Sequence, residues 1–448
     1  MAKKRVPPGP PWPRSFLEAR KTSPPEYMLK LFSKYGDVAK FRGLFSVYQI
    51  AHPEYVKQIL TKAWPTYTKN TIDYRVISAT LGKGLVTNDG PNWRSQRSVM
   101  QPVFSNRNID GFDSVINDVT ESLCATWNEC PDGTRIWLDR EMSRITFQVV
   151  SRTLFGANID SISDEMVDIL EEVNQHPLSL SSLLHHFTPW LPFPSNRRFI
   201  QVKSRLDEIV MNLIELHRKG GGTTGDIVDR LLTAKRTGDN TGTMDDSQML
   251  DEIITLMLAG HETSATALTW TFYLLAQNPE IEKRLLQELQ EVLSGRTATS
   301  ADLPQLPYLK QVVQESMRVR PPVWGIARKC NEAVEFGDYL IPANSYLAIP
   351  IYVLHRHPEF WERAETFDPD RFSPSEQKNR HSYAYLPFAG GPRTCIGANM
   401  AMLETQLILA RLLQQYQINP VKEHPVIPAA VVTLKTRHGL PVTIKRRV

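Results

Sequence analysis

The sequence has few cysteines for its length, four in 448 residues. They are Cys124, Cys130, Cys330 and Cys395, and no two of them form the C-x-x-C pair that zinc ribbons and thioredoxin-like sites use. So few thiols cannot supply a disulfide framework for a chain of this size. We therefore expect a protein of a reducing compartment whose fold depends on a hydrophobic core.

Long apolar runs are also missing. The best one covers residues 253–260, far short of the ~20 apolar residues that a membrane-spanning helix needs. Residues 1–5 are basic, but no apolar segment follows them, so they do not resemble a signal peptide. The proline-rich stretch 7–13 is stiff, and it is compatible with a rigid surface arm or with a spacer after a membrane anchor upstream. We expect a soluble cytoplasmic protein, with that anchor as the alternative.

A basic stripe is a third missing feature. The net charge is +4, yet six positive charges lie at the two ends of the chain, so the body is close to neutral. A nucleic-acid binder carries its positive charge on a folded face, and we therefore expect no nucleic-acid partner. With 41% hydrophobic and 22% charged residues, the chain has the composition of a folded globular protein. We expect it to be a monomer.

The hydrophobic pattern is mainly helical. A hairpin is predicted over 35–50, and a helix begins at Pro53. Amphipathic helical patterns cover 109–127, 140–155, 165–174, 197–218, 227–234, 247–277, 279–293 and 306–319. Strand-like runs cover 326–336, 345–350, 431–435 and 441–445. The pattern predicts a mainly α protein with small β-sheets, of the α+β class, folded as one interwoven unit.

The most informative segment is the cysteine loop, residues 388–397, which reads F-A-G-G-P-R-T-C-I-G. A cysteine just before a helix lies near unpaired N–H groups, which stabilise the thiolate form that a haem iron needs. Gly391 and Gly397 let the backbone pass close to a flat macrocycle, and Arg393 can pair with a haem propionate. The helix that follows has apolar residues at helical spacing: Met400, Leu403, Leu407 and Ala410.

This loop resembles the F-x-x-G-x-R-x-C-x-G haem-binding signature of the cytochrome P450 family. The resemblance implies the P450 fold, with haem b (iron protoporphyrin IX) between two long helices and Cys395 as the axial ligand of the iron. It also implies haem contacts from Phe388, Gly391, Arg393 and Gly397. Residues 14–448 would then form a single catalytic domain after a basic, proline-rich arm of residues 1–13.

Other segments extend the resemblance. Glu315 and Arg318 match the family's E-x-x-R pair, and Arg371 lies in a segment similar to its P-x-R-F element. These three residues would form a buried network with a structural role. Cations at positions that hold haem propionates in the family are supplied by Arg97 and Arg328, and Trp93 lies one turn before Arg97 as a packing or hydrogen-bonding partner.

The longest predicted helix contains residues that are poor helix formers, at Gly260 and Thr263. The Thr263 hydroxyl can donate to the carbonyl of Ala259, and Gly260 leaves a groove for dioxygen or water. The segment resembles the family's A-G-x-E-T motif, which implies that Thr263, with Glu262 and ordered water, delivers protons during oxygen activation. Donation from the Cys395 thiolate would favour cleavage of the O–O bond.

The resemblance thus implies a haem-thiolate monooxygenase that oxidises an apolar substrate, such as a fatty acid, a terpene or a steroid-like molecule. We expect no reductase domain on the same chain, and therefore electrons from a separate ferredoxin, flavodoxin or flavin reductase fed by NAD(P)H. The family's pocket positions correspond to Ile77, Leu81, Leu85, Phe187, Leu256, Val323, Trp324 and Ile326. A haem-thiolate peroxygenase, an isomerase and a non-enzymatic gas sensor are the alternatives. The set of Gly260, Glu262 and Thr263 argues for the monooxygenase, because a protein that never delivers protons to bound oxygen does not need it.

Overall fold

A computed structural model describes residues 5–42, 45–62, 65–156, 163–175, 194–221, 226–236 and 245–447. Within this part of the chain the residues cluster into two compact units. The first unit comprises Met1–Tyr74, Gln314–Cys395 and Pro428–Lys435. The second comprises Arg75–Val313, Ile396–Ile427 and Thr436–Val448. Each unit is built from segments that are distant in sequence, and the single catalytic domain over 14–448 stays a prediction.

Helices dominate the described residues. The first nine are α1 Arg14–Lys21, α2 Pro24–Tyr35, α3 Pro53–Thr61, α4 Ile72–Leu81, α5 Gly90–Met100, α6 Asn106–Ile109, α7 Asp113–Asn128, α8 Leu138–Leu154 and α9 Ser163–Gln175. They are followed by α10 Pro194–Arg218, α11 Ile227–Arg236, α12 Asp246–Ala276, α13 Pro279–Leu293, α14 Pro307–Val319, α15 Ile351–Leu354, α16 Pro374–Lys378 and α17 Ala398–Gln415. No helix of the described residues is long and apolar enough to span a membrane.

The strands are short and come from both ends of the chain. They are β1 Val38–Arg42, β2 Ser46–Ile50, β3 Tyr67–Thr68, β4 Thr134–Trp137, β5 Ile326–Cys330, β6 Val334–Phe336, β7 Tyr339–Ile341, β8 Ser345–Ile349, β9 Tyr416–Pro420, β10 Pro428–Ala430, β11 Leu434–Thr436 and β12 Pro441–Arg446. The structure confirms the mainly helical class with small sheets. It also shows that the run 326–336 is two strands rather than one.

The first unit is organised around a five-stranded sheet in the order β1-β2-β8-β5-β3. The predicted hairpin forms its edge, with Val38 opposite Ile50 and Arg42 opposite Ser46. One face of the sheet packs on α3, where Val56, Ile59 and Leu60 join a buried apolar cluster. Because β2 and β8 pair in parallel, residues about 300 positions apart in the chain become neighbours.

The proline-rich arm belongs to the first unit. The Arg5 N–H donates to the Asp338 carbonyl over 2.9 Å, and the Lys40 N–H donates to the Pro8 carbonyl over 2.7 Å. A side chain at residue 9 would collide with the Lys40 carbonyl, because a Cβ at Gly9 would lie 1.6 Å from that oxygen. Residues 5–9 are therefore docked on the first unit, and both interpretations of the stretch, a surface arm and a spacer after an anchor, stay predictions.

The second unit is helical, with a three-stranded sheet in the order β4-β12-β9. Its longest helix, α12, packs against α8 and against α17. Helix α12 starts at a side-chain cap, since Asp245 Oδ1 accepts the Gln248 N–H over 2.7 Å. Most of its residues are buried, so α12 is a core helix rather than an amphipathic surface helix.

A buried carboxyl lies where α17 packs on α12. Glu404 is 1% exposed, and its Oε1 atom has no hydrogen-bond partner among the described residues. Burial raises the pKa of Glu404 from the ordinary value of 4.5 to about 8, and the nearby Ser264 hydroxyl of α12 opposes that rise. The folded state therefore binds this proton more tightly than the unfolded chain does.

This proton makes stability depend on pH. The contribution of Glu404 is fully present below about pH 4.5 and is lost as the pH rises through about 8. Between pH 5 and pH 8.5 the free energy of unfolding of the natural chain should fall as Glu404 loses its proton. Glu404→Gln cannot ionise, so its free energy of unfolding should fall by less, and the difference between the two is on the order of 3 kcal/mol. Guanidinium unfolding followed by circular dichroism measures it, with the exposed Glu423→Gln as control. Parallel pH curves for Glu404→Gln and the natural chain would contradict the expectation.

Candidate functional site: the cysteine loop and the α12 oxygen segment

The cysteine loop is a closed turn. The Cys395 N–H donates to the Phe388 carbonyl over 2.9 Å, and a 3-10 turn over Gly391–Arg393 lies between them. Ala389 and Gly391 have left-handed backbone conformations, with φ of 58° and 70°. The Cys395 side chain is exposed, three residues before α17 begins. In sequence the thiol therefore precedes a helix start, the arrangement expected to stabilise a thiolate.

Gly391 is required by a contact inside the first unit. A Cβ at this position would lie 2.1 Å from the Leu60 carbonyl oxygen of α3, a distance that no side chain tolerates. The sequence predicted that a glycine is needed here so that the backbone can pass close to a macrocycle. The structure shows a different need for it, because the loop packs against α3 at this position. A contact of Gly391 with haem stays a prediction.

Gly397 lies in a different setting. Among the described residues, a Cβ there would meet only the Phe104 ring of the second unit, at 3.7 Å, which is an ordinary contact distance. The protein atoms around Gly397 therefore do not demand a glycine. Space at this position is compatible with the close approach of a flat cofactor.

Two of the predicted cations meet around a tyrosine in the first unit. Arg328 is buried in β5, at 6% exposure, and its Nη1 donates to the Ala327 carbonyl over 2.7 Å. The Tyr74 hydroxyl hydrogen-bonds to Arg328, and Arg393 lies close enough to act on it electrostatically. Burial raises the pKa of Tyr74, and the two guanidinium charges oppose the rise. Arg328 and Arg393 thus supply a concentrated positive charge suited to a propionate.

The other predicted pair lies on α5 of the second unit. The Arg97 guanidinium carbon lies 5.9 Å from the centroid of the Trp93 ring, so the two side chains share one face of the helix, as their spacing predicts. Arg97 Nε also donates to Gln101 Oε1 over 3.2 Å. Trp93 is buried and Arg97 is half-buried, which suits a cation held by packing at the edge of a site.

The oxygen segment, residues 259–263, lies in the middle of α12. The Thr263 hydroxyl donates to the Ala259 carbonyl over 2.7 Å, as the sequence predicts. Helix α12 nevertheless continues as an α-helix through the segment. Glu262 is 5% exposed, so a carboxyl group is held in a largely water-excluded position directly before the half-buried Thr263.

The expected groove at Gly260 is filled by protein. A Cβ on Gly260 would lie 2.8 Å from Val150 Cγ2 of α8, so the glycine permits the close packing of α8 on α12. This corrects the interpretation of Gly260 as an open groove. The exposed position beside it is Ala259, whose small side chain leaves that face of the helix accessible. A role for Ala259 or Gly260 in oxygen binding stays a prediction.

His261 is a packing residue in the second unit. It is 4% exposed, its Nδ1 lies 3.1 Å from the Met257 carbonyl, and its own carbonyl accepts the Thr146 hydroxyl. Its ring meets the Phe147 ring edge-on at 6.0 Å. These contacts occupy the side chain within the helix packing, as its position on the helix indicates.

The structure brings Glu315, Arg318 and Arg371 together in the first unit. Arg318 makes a bidentate pair with Glu315 at 2.6 and 2.7 Å, and both side chains are fully buried. Arg371 Nε lies 3.6 Å from Glu315 Oε1, and that oxygen also accepts the Asp368 N–H over 2.9 Å. Arg318 donates further to three carbonyls, those of His355, Ala364 and Thr366. The buried charges of Glu315 and Arg318 are therefore well compensated, whereas Arg371 Nε is buried without a hydrogen-bond partner among the described residues.

The predicted substrate-contacting residues are divided between the units. Leu81, Leu85 and Leu256 are buried in the second unit, where Ile77 is half-buried. Three others are half-buried in the first unit: Val323, Trp324 and Ile326. Phe187 lies outside the described residues. A polar cavity of about 800 Å³ in the first unit is lined instead by charged side chains such as Glu359, Arg363 and Arg380, so it is not the predicted apolar pocket.

Sequence reasoning missed Tyr74 as a partner of the cations, and it missed two carboxylates on α12, Asp251 and Glu252. Glu252 is fully buried, next to Ile253 and Ile254, which are also fully buried. The sequence signal that could have identified Glu252 is an acidic residue beside consecutive apolar residues near the start of a long apolar helix. Such a carboxyl must find hydrogen-bond donors inside the protein.

The residues fit a haem. In the first unit, the exposed thiol on its tight loop would supply an anionic ligand for iron, and Arg328 and Arg393 would supply charge for carboxylates. Haem carries two propionates and one iron that accepts a thiolate, so this donor set matches its chemistry. Cys395, Arg393 and Arg328 are the residues that would hold it in the first unit.

Comparisons with known proteins agree with this chemistry. A family model described as cytochrome P450 matches residues 6–440. Cyclooctatin synthase from Streptomyces melanosporofaciens is 33% identical, covering 94% of this chain and 90% of that protein. Cyclooctat-9-en-7-ol 5-monooxygenase from the same organism is 32% identical, covering 89% and 86%.

A solved structure shows the same fold. The crystal structure of the cytochrome P450DA heme domain matches with a TM-score of 0.87 at 22% identity, covering 99% of this chain and 98% of that one. The family match extends over almost the whole chain, and relatives above 30% identity cover most of it. The chain therefore belongs to the cytochrome P450 family, and it is a haem-dependent monooxygenase that uses O2, an apolar substrate and an electron-transfer partner.

Proposed function

We propose that this cytochrome P450 inserts one oxygen atom of O2 into an apolar organic molecule, a fatty acid, a terpene or a steroid-like compound. The second oxygen atom leaves as water, with two protons and two electrons. The electrons come from a separate ferredoxin, flavodoxin or flavin reductase supplied by NAD(P)H. The observation that carries the proposal is the Thr263 hydroxyl in the middle of α12, bonded to the Ala259 carbonyl and directly after the buried Glu262 in sequence.

Proton delivery is the task of this pair. Thr263 donates its own hydrogen to the Ala259 carbonyl, which leaves the lone pairs of its oxygen free to accept. A hydroxyl in this state can order a water molecule and pass a proton on by changing its donor partner. Glu262 supplies an acid within one residue of it. Bound haem supplies the oxygen activation, and the Cys395 thiolate supplies electron density to its iron.

The substrate class follows from the predicted contacts. Leu81, Leu85 and Leu256 offer only apolar atoms, and Trp324 has its one polar group satisfied, because its Nε1–H donates to the Val431 carbonyl over 3.1 Å. Apolar side chains with few polar groups select ligands by shape. A relative named for cyclooctat-9-en-7-ol, a cyclic alkene alcohol by its name, supports an apolar cyclic substrate.

Removal of the hydroxyl tests the proton-delivery role. We expect Thr263→Ala to bind haem and apolar ligands but to lose coupling several-fold, because reducing equivalents then leave as hydrogen peroxide. Thr263→Ser, which keeps a hydroxyl, is the matched control and should retain coupling. Product formed per NAD(P)H consumed, with a ferredoxin and its reductase as surrogate donors, is the measurement. Unchanged coupling in Thr263→Ala would show that the hydroxyl has no such role.

A ligand panel tests the substrate class. We expect hexadecanoic acid, cyclic terpene alcohols and steroids to shift the haem spin state and to be oxidised when NAD(P)H and a redox partner are present. Citrate and sugar phosphates should give neither response, since they are multiply charged and have no long apolar part to offset the cost of burying their charges. The proposal fails if polar compounds alone are active. Turnover with hydrogen peroxide but not with NAD(P)H would favour a peroxygenase instead.

A further inference from the structure

Glu252 is a carboxyl buried in the apolar core of the second unit. It is fully buried on α12, and within the described part of the chain no ion pair joins it. Burial raises the pKa of Glu252 to about 8, and the Leu85 N–H and the Gln96 amide oppose that rise. A buried carboxyl is expensive unless it makes a specific contact. Its clearest contact is with backbone, since Glu252 Oε2 accepts the Leu85 N–H over 2.9 Å.

The neighbouring side chains of α12 hold the same segment. Asp251 Oδ2 accepts the Lys83 N–H over 2.8 Å, and the Thr255 hydroxyl donates to the Leu81 carbonyl over 3.4 Å. The backbone at positions 81, 83 and 85 is thus bound by three side chains within the stretch 251–255 of α12. This is a row of hydrogen bonds between a loop and a helix.

The loop can lie so close to α12 because it has glycine at two positions. Gly82 has a φ of +52°, and a Cβ there would lie 1.9 Å from the Asp251 carboxylate. A Cβ on Gly84 would lie 2.0 Å from Thr255 Oγ1. Glycine at positions 82 and 84 therefore allows the loop to lie directly against α12, and the hydrogen bonds fix the position of the loop along the helix.

A second layer holds the loop from the side of α5. Gln96 of α5, which is 1% exposed, donates through Nε2 to the Lys83 carbonyl over 2.8 Å. Asn88, within the loop itself, donates to the same carbonyl over 3.3 Å. The Asn88 amide also reaches Gln96 Oε1 at 3.2 Å. The two layers together leave the loop, residues 82–88, few alternative conformations.

We propose that Glu252 is a positioning residue that selects among apolar substrates by fixing the 82–88 loop, and with it Leu81 and Leu85, against α12. The inference rests on the proposed function, in which Leu81, Leu85 and Leu256 contact the substrate. Leu256 lies one turn after Glu252 on the same helix face, so the carboxyl sets the spacing between the loop leucines and the helix leucine. Shape selection by apolar groups depends on that spacing.

The experiment compares Glu252→Leu with Glu252→Gln in the haem-loaded full chain. Glutamine keeps an acceptor for the Leu85 N–H and leucine does not. Hydrogen exchange is measured for residues 82–88 and, as internal reference, for residues 263–270. Dissociation constants are measured by haem absorbance for two probes, hexadecanoic acid as a linear chain and caryophyllene as a bicyclic hydrocarbon.

In Glu252→Leu, exchange in residues 82–88 should rise about fivefold, the factor for one lost hydrogen bond, while residues 263–270 stay protected. The ratio of the two dissociation constants should change at least about threefold. Glu252→Gln should match the natural chain in both measurements. Should Glu252→Leu fail to bind haem, Asp251→Ala replaces it with the same expectations, because it removes the acceptor of the Lys83 N–H at a less buried position.

Leu85→Ala separates failure of this inference from failure of the proposed function. If Leu85→Ala changes the ratio of dissociation constants but Glu252→Leu does not, the pocket assignment stands and the positioning role is wrong. If neither variant changes the ratio, Leu85 does not contact substrate, and both the pocket assignment and this inference are overturned. Unchanged exchange in Glu252→Leu overturns the inference by itself.

Discussion

The position of Cys395, the proposed haem ligand, is fixed by contacts of its loop within the first unit. Cys395 closes a turn through its hydrogen bond to the Phe388 carbonyl, and the turn rests on α3 because Gly391 has no side chain. Helix α3 in turn is held by the core of the five-stranded sheet. The position of one sulfur therefore depends on strand pairing between distant parts of the sequence.

Two buried carboxyl groups, Glu315 and Glu252, and the half-buried Glu288 serve a related purpose elsewhere. Glu315 accepts the Asp368 N–H, Glu252 accepts the Leu85 N–H, and Glu288 accepts the N–H groups of residues 308 and 309 at the start of α14. In each case a helix side chain holds the backbone of a loop or of another helix end. Such contacts are costly in desolvation, so they indicate positions where the geometry of a loop matters more than local stability.

Much of the architecture was predictable because it is local. Periodicity and helix-start signals predicted most helices, and α13 has the predicted bounds, 279–293. The hydrogen bond from Thr263 to Ala259 also follows from i and i+4 spacing. Contacts between distant segments were not predictable. Gly260 was expected to open a groove, but Val150 of α8 fills that space, and no local pattern indicates which helix will pack there.

The central claim is that Cys395 is the haem ligand, and the most direct test is the spectrum of the reduced protein with carbon monoxide. An anionic sulfur opposite the bound CO gives a strongly red-shifted Soret band, because it donates electron density to the iron. The natural chain should show this band, Cys395→His should lose it, and the control Cys130→Ser should keep it. A Cys395→His variant that retains both the band and the activity would contradict the assignment.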